Sequence, residues 1–301
     1  MDPIHLVIII GSVILLVVIV MVLIARAAAK KLVHPPRVRE GWNPGDLGLE
    51  YEDFTVRTTD GLGLKGWFIP GKRGETVIVL HGYTASKYNT EYIKPVVEIL
   101  AKHGYNVVVY DHRAHGDSEG DITTLGYKEV DDLSRVIDWL IEEKKISGKI
   151  GLIGYSMGGA ITLKALAVED RIAAGVADSP YVDIVVSGRQ WIKRMKGILR
   201  TILLMDYPLI IRFARKYAGV DLKELNMFNY AEKIRKPLLI IAGKNDDLVP
   251  LGQINELAKK IKAVNENTEI WITDSRHVSA VRDYPEEYEE KVIGFFERWL
   301  K

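Results

Sequence analysis

The tightest constraint on the fold comes from Gly154-Tyr155-Ser156-Met157-Gly158, which fits the pattern G-x-S-x-G. The flanks fit the geometry this pattern needs. Lys149-Ile150-Gly151-Leu152-Ile153 before it reads as a short buried strand, and Gly159 to Val168 after it reads as a helix. A serine on so sharp a strand-to-helix turn is lifted clear of the sheet edge. The glycines around it allow a strained backbone and close packing of helix on strand. A Gly-rich turn can show the same pattern by chance, and the strand before and helix after separate the two cases.

Ser156 is therefore a candidate nucleophile, and it needs a base and an acid. Chains of this build carry them in the order serine, acid, histidine. His5, His34, His81, His103, His112 and His115 precede Ser156, and only His277 follows it. His277 leaves the strand-like run Glu269-Ile270-Trp271-Ile272 in a loop, where a side chain can reach the top of a sheet. Fourteen carboxylates lie between Ser156 and His277, so the acid is less unique. The best placed are Asp246 and Asp247, which follow the continuous apolar run Pro237 to Ala242. Neighbouring side chains point in different directions, so one alone can orient the imidazole. Asp246 is favoured, with Asp247 expected as a turn or capping residue before a helix near Pro250.

A developing oxyanion needs two backbone N–H donors. One comes from the residue after the nucleophile, Met157, which also opens a helix. The other is expected from Tyr83, in the loop His81-Gly82-Tyr83-Thr84 that ends the apolar strand Thr76 to Leu80. His81 precedes Ser156 and is expected to brace this loop by hydrogen bonding.

From Tyr51 onward the hydrophobic pattern alternates strand and helix. Phe54 to Val56 and Leu64 to Ile69 flank a turn at Asp60-Gly61. Val77 to Leu80, Asn106 to Tyr110, Ile172 to Ala177, Pro237 to Ala242 and Glu269 to Ile272 read as further strands. Lys87 to Lys102, Tyr127 to Lys144, Gly252 to Lys262 and Pro285 to Leu300 read as helices. This order predicts an α/β fold, a mostly parallel central sheet with helices on both faces. Ser156, Asp246, His277 and Tyr83 all fall at carboxyl ends of strands, where such sheets bind ligands.

With these motifs in hand, the chain resembles the α/β-hydrolase superfamily, and within it the small single-pass membrane-anchored bacterial members. The resemblance runs from about Tyr51 to the C-terminus. It includes Asp111 to Gly120, similar to the family's D-x-R-G-x-G-x-S-x-G loop but with Ala114 in place of a glycine. That loop is carried over as structural. The plain His81-Gly82-Tyr83 loop lacks the extra glycines of the HGGG lipases. The resemblance implies an esterase- or lipase-like serine hydrolase with the triad Ser156, Asp246 and His277, an acyl-enzyme, and no cofactor or metal. Peptidases and acyl-protein thioesterases of the family share that triad. A non-enzymatic scaffold would be expected to carry a damaged one.

The N-terminus adds a second character. Leu6 to Ala25 is a 20-residue run of mostly Ile, Val and Leu. As a helix it extends about 30 Å, one bilayer core. Residues 1–33 are thus expected to form a membrane anchor, crossing at about 5–25. A cleaved signal peptide would have a shorter apolar region preceded by positive charge, and no basic side chain precedes this one. Arg26, Lys30, Lys31, Arg37 and Arg39 follow it, so by the positive-inside rule the remainder of the chain is expected in the cytoplasm, with the extracytoplasmic side as the alternative. Residues 34–50, rich in Pro and Gly, read as a linker to a hydrolase domain at 51–301.

A cap is expected at about 181–230, with helices at Ile184 to Leu204 and Tyr207 to Tyr217 and a short segment near Leu222. Between Gly188 and Gly219 eight Lys and Arg face Asp206 alone, a local charge of +7. The basic residues are interleaved with apolar ones from Trp191 and Ile192 to Leu203 and Leu204, which fits either a solvated basic face on a helix packed on the core or a cap that rests on a membrane surface; the substrate is expected to be a small ester or lipid. The whole chain carries +1, which gives no case for a nucleic-acid partner. It has no cysteine, which excludes disulfides and thiol catalysis.

Overall fold

The computed structural model describes residues 2–301. It opens with α1 (Pro3–Val33), a 31-residue helix. Most of it is Ile, Val and Leu, so by length and composition it can cross a membrane. Eight strands then form one sheet in the order β1-β2-β4-β3-β5-β6-β7-β8. β1 (Glu52–Arg57), β2 (Gly63–Ile69) and β4 (Asn106–Tyr110) pair antiparallel in turn. β3 (Thr76–Leu80), β5 (Ile150–Tyr155), β6 (Ile172–Asp178), β7 (Leu238–Gly243) and β8 (Thr268–Thr273) continue in parallel from β4. β3, β4, β5 and β7 are buried throughout, which is why they read as unbroken apolar runs.

Helices cover both faces of this sheet. α2 (Ile93–Lys102), α9 (Ala280–Asp283) and α10 (Pro285–Trp299) enclose one apolar core with residues such as Val96, Tyr288 and Phe295. α3 (Glu129–Glu142), α4 (Met157–Val168) and α8 (Leu251–Lys262) enclose the other. α4 is apolar nearly all round, Lys164 being its one charged residue, and every residue from Met157 to Leu166 is buried. The chain leaves β3 for β4 on one side and returns to β5 on the other, so a crevice opens at the carboxyl ends of β3 and β5.

Two helices differ from the sequence reading. α2 begins at Ile93, not Lys87. The Asn89 side-chain oxygen accepts from the N–H groups of Glu91, Tyr92 and Ile93 and holds the preceding residues as a loop. Lys87 in that loop is buried, with its ammonium 2.8 Å from Asp111 and 2.6 Å from Asp117. In the cap, Ile184 to Leu204 is two helices, α5 (Ile184–Lys193) and α6 (Ile198–Met205). Gly197, the residue that precedes α6, sits at φ +80°, a backbone conformation that a helix cannot run through and that glycine adopts readily. α7 (Tyr207–Ala218) follows, and it packs with α6 along α1. Ala25, Ala29 and Val33 of α1 are fully buried there.

The loop from Asp111 to Gly120 braces the domain. Asp111 accepts from the backbone N–H groups of Lys87 and Asp117, and Arg113 pairs with Asp60 and Asp132. Ala114 adopts φ +63°, the conformation for which a glycine would be expected.

Beside this loop three histidines share a buried site. The His81 ring lies 4.4 Å from His112 and 5.1 Å from His115. His81 Nδ1 is 2.8 Å from the Gly82 carbonyl, and Nε2 accepts from the His112 N–H at 3.0 Å. Burial first, then the neighbouring imidazoles, holds His81 neutral. Burial and then His115 push His112 down to about 3, and both its ring nitrogens are buried without a partner. Unfolded histidine titrates near 6.5, so below that pH the unfolded chain takes up a proton that the folded chain refuses. This contribution to stability is intact above about pH 6.5 and is lost as the pH falls toward the folded value. His112→Phe removes one such site. Between about pH 7 and pH 5 the parent is expected to lose about 2 kcal/mol more than the variant in denaturant titrations. Equal losses would refute this account.

Candidate active site

Ser156 stands between β5 and α4 at φ 53° and ψ −108°, outside the regions open to most side chains. Its N–H donates to the Asp178 carbonyl at 2.9 Å, and its carbonyl accepts from Ala160 N–H at 3.0 Å. The motif glycines are sterically required. A Cβ at Gly154 would lie 2.1 Å from the Gly158 carbonyl oxygen, and one at Gly158 would lie 2.2 Å from that of Leu80.

The loops after β7 and β8 bring two further side chains to the serine. His277 Nε2 lies 2.9 Å from Ser156 Oγ, and its Nδ1 lies 2.7 Å from Asp246 Oδ2. The other oxygen of Asp246 accepts from the N–H groups of Leu248 and Val249 at 2.8 and 2.9 Å, which fixes the carboxylate. Its side chain is 3% exposed. Asp247 differs from expectation. It is 57% exposed and pairs at 3.0 Å with Arg194 at the end of α5, while Asp246 itself makes the turn-closing bonds assigned to it. The reason is geometric, since one carboxylate can face the imidazole with one oxygen and its own loop with the other.

Tyr83 and Met157 line the same cleft as Ser156 and His277. The loop that carries Tyr83 presses on the elbow, for a Cβ on Gly82 would stand 3.3 Å from the Ser156 Cβ. The Tyr83 hydroxyl points away and donates to the Leu32 carbonyl at 2.9 Å, and burial pushes it up to about 12. The N-terminal helix thus holds a residue beside the serine. Among the described residues, no group of three or more His, Asp or Glu could hold a metal ion.

A buried polar chain beneath the serine has no motif to announce it. Asp178, at the end of β6, accepts from Ser179 Oγ at 2.9 Å and from Tyr288 OH at 3.2 Å. Ser179 Oγ in turn accepts from Val278 N–H, next to His277, at 3.1 Å. Tyr288 meets Tyr155 OH at 3.0 Å, and the Tyr92 hydroxyl accepts from Gly82 N–H at 3.2 Å. Burial pushes the Asp178 carboxyl up to about 6. Ser156, Ser179 and Val278 all have positive φ, so three strained residues meet at this edge. Asp178-Ser179-Pro180 at a strand end was the available signal, but it does not reveal which loops it joins.

The cleft encloses about 430 Å³ and is mostly apolar, with Leu32, Tyr83, Ile184, Trp191, Leu248 and Val278 on its walls. Fold and site together define an α/β hydrolase, and the chain belongs to that family. A family model for the alpha/beta hydrolase fold matches residues 75–201. Among solved structures, the esterase Pf2001 of Pyrococcus furiosus is 37% identical with a TM-score of 0.78, over 90% of this chain and 99% of that one. An acylaminoacyl peptidase of Pyrococcus horikoshii, 23% identical with a TM-score of 0.65 over 84% of this chain and 42% of that one, shares the fold. The uncharacterised protein YqkD of Bacillus subtilis is 29% identical over 216 residues, covering 70% of this chain and 68% of its own.

Proposed function

We propose that this chain is a membrane-tethered serine hydrolase of carboxylic esters, with Ser156, His277 and Asp246 as its triad. The observation that carries the reading is the continuous contact Asp246–His277–Ser156 at 2.7 and 2.9 Å, facing an apolar cleft. The likeness to an esterase at 37% identity favours esters over amides.

Ser156 Oγ attacks the ester carbonyl carbon while His277 Nε2 takes its proton. Asp246 accepts the His277 Nδ1–H, fixes the tautomer and stabilises the imidazolium. The N–H groups of Met157 and Tyr83 receive the oxyanion, and the N-terminus of α4 adds its partial positive charge. His277 then protonates the leaving alcohol as the C–O bond breaks. Water, deprotonated by His277, attacks the acyl-enzyme and releases the acid and Ser156.

The tether is α1, crossing the bilayer once with the hydrolase domain on the cytoplasmic side. Arg26, Lys30 and Lys31 follow the apolar run and support that direction. Burial of Ala25, Ala29 and Val33 against the cap argues for retention of the helix, because its removal would break that contact.

One experiment tests nucleophile and orientation together. A cell-permeant fluorophosphonate is expected to label the full chain in intact cells, and Ser156→Ala to abolish the labelling. An impermeant analogue should leave intact cells unlabelled. Labelling of the alanine variant would overturn the nucleophile, and labelling by the impermeant probe would reverse the orientation. Faster turnover of matched thioesters or aminoacyl amides than of oxygen esters would replace the substrate class.

A further inference from the structure

The exposed apolar side chains of the domain are concentrated in one place. Of the eight large hydrophobic residues after α1 that stand open to solvent, five (Trp191, Met195, Ile198, Leu199 and Met205) lie on α5, α6 and the turn between them, while Val38, Ile141 and Val168 are scattered singly elsewhere. Ile198 is 76% exposed and Met205 70%. Lys193, Lys196 and Arg200 are interleaved with them and are exposed as well. An apolar knob with a basic collar suits a surface that is apolar within and anionic at its face.

The position of the knob is fixed by α1. Every residue from Pro3 to Val20 is exposed, and burial begins at Met21. Those 18 residues extend about 27 Å, close to the hydrocarbon thickness of a bilayer. From there α1 continues without a break to Val33 and packs on α6 and α7. Arg26 fastens this junction, with Nε 3.3 Å from the Tyr217 hydroxyl and its guanidinium over the Phe213 ring. This exposure places the crossing at residues 3–20 and not at the expected 5–25, so the cap begins where the hydrocarbon ends, with α6 and α7 packed on the continuation of α1. The half-exposed Trp191 belongs to both the knob and the cleft wall, and its ring meets Tyr83 edge-on at 6.5 Å.

We propose that residues 191–205 dock on the face of the bilayer that α1 crosses, with Ile198, Leu199 and Met205 among the headgroups and Lys193, Lys196 and Arg200 on lipid phosphates. Ester substrates then reach the cleft from the lipid, past Trp191. This second statement rests on the ester-hydrolase reading above. It makes amphiphilic carboxylic esters that partition into membranes the substrate class.

The chain has no cysteine, so single cysteines can report position in the full-length protein. Ile10→Cys, Ile198→Cys, Met205→Cys and Val168→Cys variants carry an NBD label in vesicles of phosphatidylcholine and phosphatidylglycerol. Lipids with doxyl groups serve as quenchers. Labels at 10, 198 and 205 are expected to be quenched, that at 10 by the deepest doxyl and those at 198 and 205 by shallow ones. The label at Val168, exposed at the far end of α4, is expected to stay in water. Changing Lys193, Lys196 and Arg200 to Gln should abolish the salt-sensitive part of the quenching. Labels at 198 and 205 that match the Val168 control would overturn the docking, as would an unquenched label at 10. A shift that depends on protein concentration rather than lipid would assign the face to a second copy instead.

Delivery is tested with Ile198→Asp/Leu199→Asp. Hydrolysis of a long-chain ester dissolved in the vesicles should fall at least tenfold, with turnover of a soluble short-chain ester unchanged. Equal change in both would overturn entry from the lipid. Absent turnover of either ester by the parent would instead refute the ester reading, and the quenching result would stand apart from it.

Discussion

Asp246→Asn is expected to lower kcat on a soluble p-nitrophenyl ester about ten-thousand-fold while the protein stays folded. The two oxygens of Asp246 have different tasks. One accepts from Leu248 and Val249 N–H, and the other faces His277 Nδ1 at 2.7 Å. Asparagine can keep its carbonyl oxygen on the two N–H groups, which preserves the turn. Its amide nitrogen then faces Nδ1 and donates where the carboxylate accepted. The imidazole adopts the tautomer with the proton on Nε2, and Nε2 can no longer take the Ser156 proton. The loss falls on kcat, because the tautomer governs the chemical step and leaves the cleft walls unchanged. Asp247→Asn is the matched control. It disturbs an exposed pair with Arg194 and is expected to change kcat less than about threefold. Comparable losses in the two variants would mean that the loop, and not the carboxylate on His277, is what matters.

The sequence made part of this geometry legible because some constraints act locally. Buried strands such as β3 and β7 must be apolar on both faces, so they stand out as unbroken runs. The strand-to-helix turn at Ser156 requires its glycines, so it appears as a motif. His277 stands out by order, since no other histidine follows Ser156, and by its place in a loop that leaves a strand. What escaped depends on contacts distant in sequence. α2 starts late because Asn89 caps a loop that seats Lys87 on Asp111 and Asp117. Gly197 lies in an apolar periodic stretch, and its φ of +80° divides that stretch into two helices, of which α6 packs on α1 and α7. The chain from Asp178 through Ser179 to Val278 spans about a hundred residues, and nothing in its local pattern marks it.

Gly154→Ala is expected to destabilise the chain by more than about 4 kcal/mol, beyond the range of ordinary core substitutions. The added Cβ would meet the Gly158 carbonyl oxygen at 2.1 Å, its carbon at 2.4 Å and Thr162 Oγ1 at 2.5 Å. Two of these atoms are backbone in the first turn of α4, so no rotamer change relieves the contact. The turn itself must move, yet α4 is buried against β5 and β6 and has no free side toward which to move. Moving it would also break the Thr162 hydroxyl bond to the Gly158 carbonyl and shift Met157, which lines the cleft. Ser156→Gly should act in the opposite direction. It removes the side chain from a residue at φ 53° and ψ −108°, a conformation glycine adopts without strain, and is expected to stabilise by about 1 kcal/mol. Both variants lose activity, so activity cannot separate them. Thermal melts of the full chain in detergent can, with Tm well below the parent for Gly154→Ala and above it for Ser156→Gly. A parent-like Tm for Gly154→Ala would mean that α4 can stand off from β5, and that the elbow is looser than its strained serine implies.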